Sequence, residues 1–280
     1  MKFITFPKHV IIELTNRCNF KCSYCPNRTI KSKKGTMSIL LFKKIIDQLD
    51  QKVSIDIFRR GESLIHPRFI DMIKYAHGKV KKISIATNAS LLTTELSKGI
   101  INYMDFIHFS IDTKKYFTNR NSDSYDIIMK NINNFLKLNK GKVKTQVSLV
   151  RTDHSDKEIE QFVKRWIKKV DRIRIYPLHS EDGKSGSLKF QRKRTTCTKP
   201  FYEMLIFWDG MVGRCNHDWS SEYLGDVKEK TIKEIWNGLT YRMLRHQHIY
   251  LGSLKDPVCK ACDSWYESGN KSTLGEVHRR

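Results

Sequence analysis

All seven cysteines of this chain fall into two sets. The first is Cys18, Cys22 and Cys25, in the run C-N-F-K-C-S-Y-C, and the second is Cys197, Cys215, Cys259 and Cys262 in the last third. Three plus four leaves none over. Thiolates are soft ligands that suit zinc or iron–sulfur clusters. A structural zinc site takes four ligands, usually in C-x2-C pairs, so the C-x3-C-x2-C triplet is one short of a closed tetrahedron. Three thiolates can instead hold three irons of a [4Fe–4S] cube and leave the fourth iron open to a small molecule. The second set has four thiolates, which can hold zinc or a complete [4Fe–4S] cluster, and its spacing alone favours zinc.

The elements that must position these residues follow from the apolar pattern. Short strands are expected over residues 9–14, 53–58, 82–86, 106–111, 145–150 and 172–176. Amphipathic helical stretches lie between them, over 39–49, 68–76, 94–101, 124–138 and 156–168, the last with His154-Ser155 as its N-cap region. Six strand–helix repeats imply an α/β fold with a parallel sheet and helices outside, and nothing supplies the last two repeats of a closed eight-fold barrel. Cys18 then follows the first strand, at the strand ends where such barrels carry their chemistry. Beyond residue 178 the pattern changes to a polar connector, a hairpin with Asp209-Gly210 as a type I′ turn, and one helix over 232–246 with Leu239 and Met243 on its apolar face. The expected organisation is a core over 1–180, a linker over 181–196 and a small α+β domain over 197–280.

The triplet, with Tyr24 before its third cysteine, resembles the radical S-adenosylmethionine (radical SAM) enzymes. That resemblance implies a partial (β/α)6 barrel, S-adenosylmethionine chelated by the open iron, and hydrogen abstraction by a 5′-deoxyadenosyl radical. Further segments resemble the family's motifs. Gly61-Glu62-Ser63-Leu64-Ile65-His66-Pro67 stands for G-E-P-L-x-H-P, with serine where proline is usual, and implies contact with the methionine amino group. Thr87-Asn88-Ala89 stands for T-N-G, although alanine suits a left-handed backbone poorly. Ser110-Ile111-Asp112, with Arg120 beyond, stands for S-I-D; Ser110 and Asp112 share a strand face and are candidates for the ribose and carboxylate. The implied cofactor set is therefore Tyr24, Gly61, Glu62, Asn88, Ser110, Asp112 and Arg120.

The second cysteine set also has a context. Cys197-x2-Pro200, Trp208-Asp209-Gly210, Leu224-Gly225-Asp226, Ile235-Trp236-Asn237-Gly238 and Cys259-x2-Cys262 together resemble the SPASM auxiliary-cluster extension. Four cysteines rather than seven match its shortened form, called twitch, which implies one auxiliary cluster and two [4Fe–4S] clusters in all.

Arg174, Tyr176 and His179 end the sixth strand, and Arg59 and Arg60 end the second. Arg174 can bind an anionic or hydroxyl-rich substrate, and His179 or Glu181 can move protons. The net charge of +23 favours anionic partners, but the lysines are scattered and no nucleic-acid module is recognisable. A zinc-binding nucleic-acid module would leave the triplet and the six repeats unexplained. No membrane span or signal peptide is visible, and free thiols point to a cytoplasmic protein. The expected activity is hydrogen abstraction from a polar, anionic small molecule, by dehydrogenation or epimerisation, with flavodoxin or ferredoxin as reductant. The alternative is a peptide maturase of the SPASM type, and a cluster motif that begins by residue 18 leaves no room before it for a leader-binding domain.

Overall fold

The computed structural model describes residues 4–120, 123–178, 194–220, 222–251, 254–263 and 265, and the backbone of 276–279. Strands β1 (His9–Ile12), β2 (Ser54–Ile57), β3 (Lys82–Thr87), β4 (Phe106–Ser110), β5 (Lys144–Arg151) and β6 (Arg172–Pro177) pair in parallel, each with the next. Their residues alternate between two faces. One face is apolar and buried against helices: Ile55, Ile57, Ile83, Ile85, Ile107, Phe109, Val147, Leu149, Ile173 and Ile175. The other carries Asp56, Ser84, His108, Ser148 and Arg174, which line a lumen. A parallel strand buried on both faces would be apolar throughout, so the polar half of each strand marks a sheet curved around a cavity.

Five helices cover the outer face: α1 (Ile39–Ile46), α2 (Phe69–Ala76), α3 (Thr94–Ile100), α4 (Tyr125–Asn139) and α5 (Asp156–Trp166). Ser38, Thr93 and Ser155 accept hydrogen bonds from the backbone of the helices they cap, and Ser155 forms a capping box with Glu158. Such caps are each worth about 1 kcal/mol.

The last third continues this sheet. β7 (Glu203–Ile206) pairs in parallel with β1, β8 (Met211–Gly213) pairs antiparallel with β7, and β9 (Gly225–Asp226) follows. β10 (Glu276–Arg279) pairs antiparallel with β6. The sheet therefore has ten strands, in the order β10-β6-β5-β4-β3-β2-β1-β7-β8-β9. Helices α6 (Ile232–Asn237), α7 (Leu239–Ile249) and α8 (Pro257–Ala261) complete the region.

Two local expectations are corrected. In the β7–β8 turn only Gly210 has positive φ (+88°), so the type I′ pair is absent. The helix expected over 232–246 breaks at Gly238, whose extended backbone (ψ 164°) resets the helical phase. Tyr241 and Leu244 consequently turn inward while Leu239 and Met243 are exposed. No helix of the described residues is long and apolar enough to cross a membrane.

Candidate functional site

Cys18, Cys22 and Cys25 lie in the loop after β1, at the carboxyl end of the sheet. Asn16 builds that loop. It is fully buried, donates from Nδ2 to the Lys33 carbonyl (2.8 Å) and accepts from the Gly35 amide (2.9 Å). The Ser23 amide donates to the Asn119 carbonyl (2.7 Å), and the Cys25 amide to that of Cys22 (3.1 Å). Gly61 packs directly beneath: a Cβ there would stand 2.3 Å from the Thr15 carbonyl oxygen and 2.4 Å from that of Arg17. Only glycine permits this approach of the β2 loop to the cysteine loop.

Glu62 is buried and fully engaged. Its carboxylate accepts from the Leu64 amide (3.1 Å), the Thr87 hydroxyl (2.8 Å) and the Asn88 amide (2.7 Å), so it ties the β2 and β3 loops together. Asn88 Nδ2 in turn donates to Asn19 Oδ1 (2.9 Å). Ala89 carries φ +60°, the left-handed backbone that the motif assigns to glycine.

Burial pushes the Cys18 thiol up to about 12, with smaller contributions from Glu62 and the other two cysteines. Cys22 is also raised by burial, which Arg120 opposes. Arg120 is itself buried and donates from Nη2 to the Ile111 carbonyl (2.7 Å) and to Ser110 Oγ (3.4 Å). Three buried polar atoms beside the triplet have no hydrogen-bond partner among the described residues: Tyr24 Oη, Arg120 Nε and Asp112 Oδ2. Three grouped thiols, two of them pushed up by burial so that a nearby cation favours their ionisation, face unspent polar atoms and fit an iron cluster and a zwitterionic ligand. Cys18, Cys22, Cys25, Tyr24, Gly61, Glu62, Asn88, Ser110 and Arg120 all line one cavity of about 720 Å³. Asp112 stands outside it, where Oδ1 accepts from His154 Nε2 (2.8 Å) beneath the Tyr116 ring.

The second set stands at the opposite end. β1 and β7 are parallel, so Cys18 after β1 and Cys197 before β7 lie at different ends of the sheet. β8 runs back, which returns Cys215 to the Cys197 end. Burial raises Cys215 and Cys259 well above the usual thiol range, and charge on Cys197 and Cys262 adds to both, so the four thiols sense one another. Arg214 clips the site together. It pairs with Asp218 (3.1 Å), Glu222 (3.0 Å) and Asp256 (2.7 Å), and Asp256 caps the helix that carries Cys259. Among the described residues no three Cys, His, Asp or Glu side chains are grouped to hold a single metal ion.

The cavity joins the two ends, because Lys199, Glu203, Asn216 and His217 line it beside the second set. Its wall includes Arg59, Lys82, Arg120, Arg172, Arg174 and Lys199 against three carboxylates, Asp56, Glu62 and Glu203. Arg59 stacks on Trp219 (3.8 Å), joining the β2 loop to the last third. Arg60 is not in the wall: a bidentate pair with Glu13 (2.8 and 3.0 Å) and the Phe207 ring (4.0 Å) bury it. His179 and Glu181 lie outside the described residues. Sequence reasoning missed Asn16, His9, Asp56, Lys82, His108 and Arg172; for the last five, the polar alternate positions of the strands were the available signal.

Comparison with known proteins agrees with this layout. The model of the radical SAM superfamily matches residues 12–165, and that of the SPASM iron–sulfur cluster-binding domain matches 197–263. A cofactor-modifying protein for the tungsten-containing aldehyde ferredoxin oxidoreductase of Pyrococcus furiosus is 32% identical over 38% of this chain and 31% of its own. The subtilosin biosynthesis protein AlbA of Bacillus subtilis is 38% identical over 32% of this chain and 20% of its own. The matched segments thus span under a third of these two relatives. Among solved structures, BtrN in complex with AdoMet and 2-DOIA superposes with TM-score 0.64 at 18% identity, covering 98% of this chain and 96% of that one. Streptococcus suis SuiB bound to precursor peptide SuiA gives 0.70 at 16% identity, over 87% and 67%. These likenesses are of fold. With more than half of its length matched by the family model, the chain belongs to the radical SAM superfamily and carries a SPASM iron–sulfur domain behind its barrel.

Proposed function

We propose that this radical SAM enzyme removes a hydrogen atom from a C–H bond of a polar, anionic small molecule, and that dehydrogenation of an alcohol is the favoured outcome over epimerisation. The observation that carries the reading is a cationic cavity that is lined by the first cysteine set and reaches Lys199, Asn216 and His217, sequence neighbours of Cys197 and Cys215. Cys18, Cys22 and Cys25 would hold the first [4Fe–4S] cluster, and Cys197, Cys215, Cys259 and Cys262 would hold one auxiliary cluster, an acceptor for the electron that dehydrogenation releases after the hydrogen atom and the hydroxyl proton have left. With S-adenosylmethionine bound at the first cluster, the family's chemistry supplies a 5′-deoxyadenosyl radical at that end of the cavity.

This chain's own residues do the rest. Tyr24, Asn88, Ser110 and Arg120 present polar groups to the cofactor, Gly61 lets the backbone approach it, and Glu62 acts by fixing both loops; Asp112, outside the cavity, is dropped from the set. Arg174 and Arg59 attract and orient an anionic substrate. His179 and Glu181 remain the candidates for moving the hydroxyl proton. A small acidic electron carrier such as flavodoxin or ferredoxin suits the basic chain as reductant, in the cytoplasm.

The peptide-maturase reading is supported by the names of relatives such as AlbA and the mycofactocin maturase MftC. Deuterated substrates separate the two. Label passing into 5′-deoxyadenosine from a sugar or cyclitol, with Arg174→Ala weakening substrate use more than uncoupled cofactor cleavage, supports the small-molecule reading. Label passing only from a peptide residue sinks it.

A further inference from the structure

Inside the lumen, β4 and β5 carry two neutral side chains next to each other. The register places Gln146 directly beside His108, with Ser110 and Ser148 as the next inward pair toward the carboxyl ends of the strands. Gln146 is 1% exposed and lines the cavity. Its carboxamide has no hydrogen-bond partner among the described residues, and Oε1 is buried. The terminal amide torsion is broad, so either the acceptor or the N–H donors can be turned into the lumen. His108 contacts Ser148 Oγ at 2.5 Å through Nε2, and its other ring nitrogen has no hydrogen-bond partner among the described residues. Burial first, and then the charges of Arg172, Arg174 and Arg120, push the His108 pKa down to about 3, so the ring is neutral and holds one donor and one acceptor. The Ser148 hydroxyl can take either role, so the pair adapts to whichever tautomer a ligand selects. Ser84 on β3 lines the same wall, its hydroxyl unengaged among the described residues.

These side chains share one property: each both donates and accepts. A carboxylate or phosphate only accepts, so it would leave the Gln146 carbonyl unmet, and an unmet buried acceptor is costly. A hydroxyl donates and accepts, as the wall does. Neighbouring strands lie about 4.8 Å apart, so the wall offers such groups at short intervals, and a polyol carries one hydroxyl on each of several adjacent carbons. Peptide amides are separated by α-carbons and meet these groups one at a time.

We propose that Gln146, His108, Ser148 and Ser84 form a subsite for a polyol, a sugar or cyclitol with hydroxyls on adjacent carbons. The Gln146 carboxamide takes two neighbouring hydroxyls, one donating to Oε1 and the other accepting from Nε2, and His108, Ser148 and Ser84 take further ones. Two residues of strand, about 7 Å, separate the His108–Gln146 pair from the Ser110–Ser148 pair, and Arg120 bonds Ser110 beyond it. A ligand seated on this wall therefore lies beneath the end of the cavity that Cys18, Cys22 and Cys25 line. This deepens the function proposed above and rests on it only for the loss of hydrogen from the seated ligand.

The test is equilibrium dialysis of the anaerobically reconstituted enzyme, loaded with S-adenosylmethionine, against tritiated myo-inositol. Binding should saturate, and Gln146→Leu and His108→Phe should each weaken it about tenfold, the loss of one buried hydrogen-bonding group. Cyclohexanol, the same ring with a single hydroxyl, and N-acetylglycinamide, a peptide-like amide, should each displace the label at least about tenfold less well than unlabelled myo-inositol. Iron content and S-adenosylmethionine binding equal to those of the wild type confirm that each variant is folded; should one fail that check, the other decides. No saturable binding to the wild-type enzyme overturns the proposal and leaves the wall to water. So does binding that neither change weakens, or displacement by N-acetylglycinamide as effective as by myo-inositol. A deuterated polyol that passes label to 5′-deoxyadenosine while Gln146→Leu and His108→Phe bind normally would sink the subsite and leave the proposed reaction. Binding lost in these variants, with no label from any polyol, would leave the subsite and sink the reaction.

Discussion

The two cysteine sets are positioned by different physics. The triplet sits on backbone: eight consecutive residues, a loop braced by the buried side chain of Asn16, and a glycine packed against two carbonyl oxygens. The second set gathers its cysteines from three separate places and is held by charge, with Arg214 reaching three carboxylates across 42 residues of sequence. A backbone-built site tolerates no added atom but depends little on any one charge. A charge-built site has the opposite sensitivity, and the consequences can be measured separately at each end of the cavity.

The largest effect is expected at the backbone-built end. Gly61→Ala removes no ligand, yet its methyl group would meet the Thr15 and Arg17 carbonyls at 2.3 and 2.4 Å, and backbone cannot swing aside. The variant should lose 5′-deoxyadenosine formation as completely as Cys18, Cys22 and Cys25 changed together to alanine. Both should keep about four of about eight irons per chain, by the cluster arithmetic of four irons per site. A Gly61→Ala enzyme that cleaves the cofactor normally would show that the two loops need not touch.

At the charge-built end, Arg214→Met leaves Asp218, 1% exposed, without its buried counter-charge. Breaking one side of such a pair costs about 3–5 kcal/mol. Auxiliary iron should fall while the triplet keeps its own, read by iron analysis and by the spectrum of each reduced cluster. Retention of all the iron would mean that the thiolates, not the arginine, organise the site.

Replacing Cys197, Cys215, Cys259 or Cys262 by alanine is a milder break, because the triplet is untouched. Uncoupled cofactor cleavage should survive in part and substrate turnover should stop. Normal turnover would make the second set dispensable to the chemistry.

The same contrast explains what could be read from the sequence. The triplet and its loop partners were legible because their spacing is local. Arg214 was not, because nothing in a linear pattern joins residues 214, 218, 222 and 256. Arg59 and Arg60 are neighbours in the bend after β2, yet one lines the cavity and the other pairs with Glu13, and outside a strand no period in the sequence tells them apart. Leu239 and Met243 fit the apolar face of a continuous helix, and the break at Gly238 turned them to solvent. The lumen was half legible: Lys82, Ser84, His108, Gln146, Arg172 and Arg174 fall on alternate strand positions, a polar period that a sheet buried on both faces would not keep.

The smallest effect lies where the two regions meet. His9 on β1 stands 3.0 Å from Asp56 and 3.7 Å from Glu203, the first residue of β7. Burial opposes charge on the imidazole, but the bonds to Asp56 and then Glu203 outweigh it and raise the pKa from 6.5 to about 10. Burial likewise opposes charge on Glu203, and Lys199, His9 and the Asn216 amide bring it down from 4.5 to about 2. A raised folded-state value means that the His9 contribution is complete below about 6.5 and is lost as pH rises through about 10; the Glu203 contribution is complete above about 4.5 and is lost as pH falls through about 2. His9→Gln should therefore lower the urea midpoint at pH 7, and the gap to the wild type should close as pH rises through about 10. A gap that stays constant over that range would show that His9 is held by shape rather than by charge, and would make the seam between barrel and auxiliary region another backbone-built contact.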